Sequence, residues 1–334
     1  MISFKEGMNQ IIHYGSIEKM PLYNCSAHSS EEWSRLYGER HPYLGHFDIV
    51  FGTVVNILYI PIISVMFQKE FYKMSCFKMM ICLGINDMLA LCVNSITTGV
   101  LAVQGAVFCT YPNFNYIVGA IVLGLWCCSC IIVMGLVANR LLEMGKSSRA
   151  QALFQGNRTY VLMIIPVMYG LYFMIFTNPV GFNSKYYTWI FDPMIFENRS
   201  EEYRNIPHSI NNVLIVAITC ILYVWLYFMI KNQMSMISWK NRKADLSFQI
   251  LIQSAIICSI NLVASLIFVL MNFVQLPIWI IIIAQKMWQF IHAFPVFIYL
   301  VLNKTIRNAI LKKFKLRRIT SSVASINLKS DFKI

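Results

Sequence analysis

The sequence predicts an all-α integral membrane protein, a bundle of seven transmembrane helices. Three observations carry that prediction. Of 334 residues, 57% are hydrophobic and 13% are charged, whereas a soluble domain is nearer a quarter charged; the mean hydropathy is +0.59. Seven nearly uncharged runs recur along the chain, each long enough at about 1.5 Å per residue to cross a hydrocarbon core of about 30 Å. The basic residues sit in the short segments between those runs, so the net charge of +13 reads as topology signals and attraction to anionic lipid, not as a nucleic-acid footprint.

Residues 1–46 are mixed and polar, and they lack the apolar core of a cleavable signal peptide. Asn24-Cys25-Ser26 is a glycosylation sequon. The spans follow at 47–68, 79–103, 114–139, 160–178, 209–230, 249–273 and 277–302. The third carries the clearest punctuation: Cys109 and Pro112 precede it, and Asn139-Arg140 ends it. An odd number of spans puts the two termini on opposite sides. Twenty Lys and Arg lie on the side of the 69–78, 140–159 and 231–248 segments and the C-terminal tail, against seven on the other. The C-terminus is therefore expected to be cytoplasmic and the N-terminus outside. Domain organisation follows: 1–46 an extracellular segment, 47–302 the bundle, and 303–334 a cytoplasmic amphipathic helix and disordered tail.

In that tail, 304–318 places Ile306, Ile310 and Phe314 on one stripe ringed by basic residues, the pattern of a helix lying on membrane lipids. The loop 179–208 is the largest outside loop and holds the sequon at Asn198. Asn24 and Asn198 are expected to be glycosylatable; Asn157 and Asn303 fall inside and are not.

No enzyme motif is present, and no chain of ionisable groups runs through the membrane as a pump would need. Cys127, Cys128 and Cys130 cluster without a histidine or carboxylate to complete a metal set, so no cofactor or metal is expected. Asp87 sits in the middle of the second span, where a carboxylate is costly unless partnered. Asn56 and Asn94 are its candidate polar neighbours, and the three are assigned a switching role, with a purely structural hydrogen-bonded knot as the alternative. In the seventh span Gln285, Gln289 and His292 recur at helical spacing with Lys286 beside them. That stripe reads either as interhelical glue or, with Trp126 of the third span, as the wall of a ligand cavity. Lys286 there would favour a small ligand bearing a carbonyl or carboxylate acceptor.

Seven spans, a cysteine before the third and an arginine at its inner end resemble a G-protein-coupled receptor. More specifically, RHPYLGHFDIVFG (40–52), LYIPIISVMFQKEFYKMSCFK (58–78), NDMLALCVNSITTGVLAVQGAVFCTYP (86–112), GLWCCSC (124–130), ANRLLE (138–143) and IYLVLNKTIR (298–307) resemble the nematode serpentine chemoreceptors of class T. The resemblance implies a chemosensory receptor in the plasma membrane of sensory neurons. It would bind a small-molecule ligand from outside and activate a heterotrimeric G protein. Arg140 matches the arginine of the superfamily's Asp/Glu-Arg-Tyr motif, with Asn139 in place of the acid. Together with Lys240, Arg242 and Lys243 it is assigned to the G-protein face. Asp87 and Asn56 match the superfamily's second-helix aspartate and first-helix asparagine. The outer loop lacks the cysteine that usually bridges to the third helix; Cys25 and Cys109 are the only cysteines in outside segments, and they are expected to pair. The alternative class is a seven-span channel or transporter, against which the sequence shows no internal repeat.

Overall fold

A computed structural model describes residues 11–144, 152–234, 246–270 and 277–314. Within them the chain forms seven long helices: Pro42–Met66, Ser75–Gln104, Pro112–Met144, Arg158–Phe176, Ile206–Met234, Leu246–Leu270 and Ile278–Val301. Six are long and apolar enough to cross a membrane. The sixth in order, Leu246–Leu270, has the length, and its apolar stretch is Ala255–Ile267. Each expected span coincides with one of these helices to within a few residues; 271–273 of the expected sixth span lie outside the described residues.

The third span is the hub: it packs against the second, fourth, fifth and sixth. In the second and third spans 72% of the most apolar stretch is buried, against 33%, 22% and 28% in the first, fourth and fifth. The outward apolar residues of those three, such as Val50, Ile164 and Ile221, are the faces a bilayer would cover.

Local chemistry sets the ends. Pro42 opens the first span, where its missing N–H is not needed. The second span widens into a π-helical turn over Cys92–Thr97; the hydroxyls of Thr97 and Thr98 donate to the carbonyls five residues back, at 2.9 and 3.1 Å. It closes on Gly105 in the left-handed region, φ 71°. Asn115 ties down the start of the third span. Its amide donates to the Phe108 and Tyr111 carbonyls, each at 3.3 Å, and its oxygen accepts from Phe182 N–H at 3.3 Å.

The segment 179–208 holds a hairpin. Gly181–Asn183 (β1) pairs antiparallel with Thr188–Ile190 (β2), and Phe182, Trp189 and Tyr187 plug the bundle. Gly119 lets this hairpin approach: a Cβ there would lie 1.6 Å from the Val180 carbonyl oxygen. Over the plug lies the N-terminal segment. A capping box of Ser29 and Glu32 starts the helix Ser30–Tyr37, which buries Trp33. Tyr23 packs edge-on against Tyr116 and Tyr203, with ring centroids 5.0 and 5.6 Å apart. The expected disulfide is present: Cys25 bonds Cys109, with Cα atoms 5.5 Å apart across 84 positions.

At the other end the amphipathic helix covers Lys304–Lys313, shorter than the expected 304–318; residues 315–318 lie outside the described residues. Ile306 is buried, Ile310 packs on the core, and Phe314 stays exposed. Asn303 is the helix cap, accepting from Ile306 N–H at 3.0 Å and fully buried. Its sequon is therefore closed by packing as well as by the expected topology.

Candidate functional site

Two buried carboxylates organise the interior. Asp48, 0% exposed on the first span, accepts from Lys286 Nζ, from Gln289 Nε2 at 2.8 Å and from the Tyr187 hydroxyl at 2.9 Å. Burial, and then the neighbouring Asp48 charge, holds the Tyr187 phenol well above its ordinary pKa. Tyr187 has φ 54°, a strained position for a bulky residue, and its ring also lies 4.7 Å from the Lys286 ammonium. Hairpin, first span and seventh span thus meet at one carboxylate.

Asp87, on the second span, pairs with Nδ1 of His292 at 2.7 Å. The Tyr59 hydroxyl lies 3.0 Å from Asp87 Oδ2 and 2.8 Å from the His292 carbonyl oxygen; its single proton serves one of them at a time. His292 faces Trp126 edge-on, with centroids 6.3 Å apart. Trp126 donates to Asn212 Oδ1 at 3.3 Å, Asn211 donates to the same oxygen at 3.1 Å, and Tyr169 donates to Asn211 at 2.8 Å. The polar thread therefore runs from the first span through the second, seventh, third and fifth to the fourth.

The neighbours expected for Asp87 are arranged differently. Asn56 donates to Cys92 Sγ at 3.7 Å and not to Asp87. Asn94 contributes its backbone: the carbonyl accepts from Gln285 at 3.1 Å and Gln289 at 2.9 Å. That carbonyl belongs to the π-helical turn, whose wider winding departs from the regular helical ladder.

Of the five residues assigned to a cavity, Trp126 lines one among the described residues. A small cavity of about 60 Å³ lies beneath the hairpin, lined by Leu123, Trp126, Val180, Trp189, Phe191, His208 and Trp288. Gln285 bonds Thr188 Oγ1 at 3.0 Å as well as Asn94. With Gln289, Lys286 and His292 it is engaged in interhelical and hairpin contacts. The expectation that Lys286 would seek an acceptor on a ligand is corrected: Asp48 already supplies the acceptor. The sequence missed Tyr59, Tyr187, Asn115, Asn212 and His208. The available signal was that Asp48 and Lys286 are opposite charges in, or at the edge of, two apolar runs.

Near the C-terminal end of the third span Arg140 is 1% exposed, its Nε and Nη2 on Asn139 Oδ1 at 3.0 and 2.6 Å, and Asn139 donates to Ser75 at 3.1 Å. The Asn139 amide oxygen is thus the acceptor for Arg140. Lys240, Arg242 and Lys243 lie outside the described residues. Asn24 and Asn198 are both exposed, the latter at φ 61°.

The family profile described as "Serpentine type 7TM GPCR chemoreceptor Srt" matches residues 10–323. The chain belongs to the Srt family of serpentine chemoreceptors. A Caenorhabditis elegans relative, "Serpentine receptor class T-55", is 26% identical over 305 residues, covering 89% of this chain and 81% of that one. The crystal structure of squid rhodopsin shares the fold, with a TM-score of 0.65 at 14% identity over 86% of this chain and 90% of that one. The Srt chain is thus a multi-pass membrane protein with the family and fold of receptors, not of enzymes.

Proposed function

We propose that this Srt chain is a chemosensory receptor in the plasma membrane of sensory neurons. Its N-terminus lies outside, where Asn24 and Asn198 carry glycan. A small molecule enters beneath the hairpin, and the inner face activates a heterotrimeric G protein. The observation that carries the reading is Trp126, which lines the cavity on one side and meets His292, the partner of Asp87, on the other. A ligand that displaces the indole changes the environment of the Asp87–His292 pair. Asn56, Asn94, Gln285, Lys286 and Gln289 then support the switch as the frame holding the seventh span to the first and second. The cavity has aromatic and aliphatic walls with one imidazole, which suit a mostly apolar, neutral molecule; at about 60 Å³ it is smaller than the usual small-molecule site, so a ligand entering it must move Trp126. Burial of Arg140 under Asn139 describes a state in which the G-protein contact is withheld. Release of Arg140, with Lys240, Arg242 and Lys243 beside it, makes the coupling face.

The test is a small-molecule screen in cells that co-express the receptor and a heterotrimeric G protein, read by nucleotide exchange. Agonist-driven exchange is expected, abolished by Arg140→Ala at unchanged surface expression. Ligand-gated current or solute flux without exchange would place the chain in the channel or transporter class.

A further inference from the structure

A second site lies outside the bundle. A cleft of about 850 Å³ opens between the helix Ser30–Tyr37, the outer end of the second span and the start of the third, and Glu31, Arg35, Arg40, Gln104, Thr110 and Tyr111 line it. Its volume is within the range of small-molecule sites, about 300–1,000 Å³.

The cleft is a built feature. The Cys25–Cys109 bridge anchors one wall to the other. The hydroxyls of Ser34 and Thr110 meet at 2.7 Å across its base. At its end Gly38 and Gly105 bring two backbones together: a Cβ on Gly38 would lie 2.0 Å from the Gly105 carbonyl oxygen. The stem of Arg40 packs beside Gly105.

Arg35 and Arg40 make no ion pair and no hydrogen bond among the described residues. The electrostatic neighbour of Arg35 is Glu32, whose carboxylate is already held by Ser29 and lies below its ordinary pKa because of those hydrogen bonds. Both arginines also stand close before the first span on the outer side, where the positive-inside bias disfavours them. Two guanidiniums kept against that bias, unpaired, in one cleft with hydroxyl and amide donors, are the donor set that recognises carboxylates. Glu31 supplies one acceptor at the rim and repels a bare anion.

We propose that this cleft binds a small carboxylate-bearing molecule from the outer medium, with its anionic end on Arg35 and Arg40 and its remaining donors on Glu31 and Tyr111. The site is separate from the cavity under the hairpin, and its occupation braces the N-terminal segment against the second and third spans.

The experiment uses the full chain in nanodiscs of zwitterionic lipid, with disodium succinate as probe and sodium chloride holding the ionic strength constant. The readout is succinate-dependent thermal stabilisation, independent of any signalling assay. Saturable stabilisation is expected, with affinity falling by about tenfold in Arg35→Gln and in Arg40→Gln. Glu31→Gln is expected to bind about twofold to threefold tighter, a gain that misfolding cannot produce. Lys185→Gln, an exposed cation that does not line the cleft, is expected to bind as the unmodified chain does. An intact Cys25–Cys109 bridge on a non-reducing gel certifies each variant. The proposal falls if succinate stabilises no more than chloride, if the arginine variants bind normally, or if Lys185→Gln loses affinity to the same extent.

Discussion

Asp48 and Asp87 are both buried carboxylates on neighbouring spans, yet they are held in opposite ways. Asp48 has three donors at once, one of them a lysine ammonium, and they come from the seventh span and the hairpin. Asp87 has a histidine and a hydroxyl whose single proton has two acceptors to choose between. The first arrangement is saturated and charge-matched. The second contains a group that can be redistributed without breaking the helix packing. The difference teaches that one carboxylate is fixed by charge and the other by donors that can be shared, and the cavity lined by Trp126 lies beside the second.

The sharpest way to break the comparison is Asp48→Asn. It leaves the Lys286 ammonium without its carboxylate in a largely buried place, which is expected to cost about 3–5 kcal/mol in thermal unfolding of the purified receptor. Adding Lys286→Met should recover most of that loss, because neither charge then remains unmatched. If the double variant is no better than the single one, the pair is not a coupled unit. A smaller effect is expected from Asp87→Asn, about 1–3 kcal/mol, together with a changed basal rate of nucleotide exchange. Equal costs at the two sites, with exchange unaltered, would make both of them fixed. Smallest is Tyr187→Phe, which removes one of the three donors to Asp48 and is expected to lower stability by about 1.5 kcal/mol. A loss of agonist response larger than that stability change implies would move Tyr187 from the Asp48 cluster into the ligand path.

The same contrast marks where sequence reading succeeds. A residue whose identity alone is costly in a membrane announces itself: Asp87, Lys286 and Arg140 were all legible as charges in or beside apolar runs. Their partners were not. Tyr59 and Asn212 are unremarkable in a hydrophobic span, and the stripe that holds His292 does not reveal its contact to Asp87. Asn94 was chosen for its side chain, but the π-helical turn makes its backbone carbonyl the acceptor for two glutamines. Winding of that kind leaves no period in the sequence, because one extra residue per turn is absorbed locally.

The sequence by itself determined the seven spans, their order, the unbranched path of the chain and the pairing of Cys25 with Cys109. Apolar length and the cost of an unsatisfied backbone in lipid permit little else, and two cysteines in outside segments permit one bridge. Only the tertiary structure decided which face of each span meets which neighbour, that 181–190 folds into a plug, and that Lys286 is spent on Asp48. Those outcomes depend on close approach between segments far apart in the chain: Gly119 against Val180, Asp48 against Lys286 across 238 positions, Tyr187 against Asp48 across 139. The helical period is carried by each segment alone, whereas the register between segments exists only once they pack.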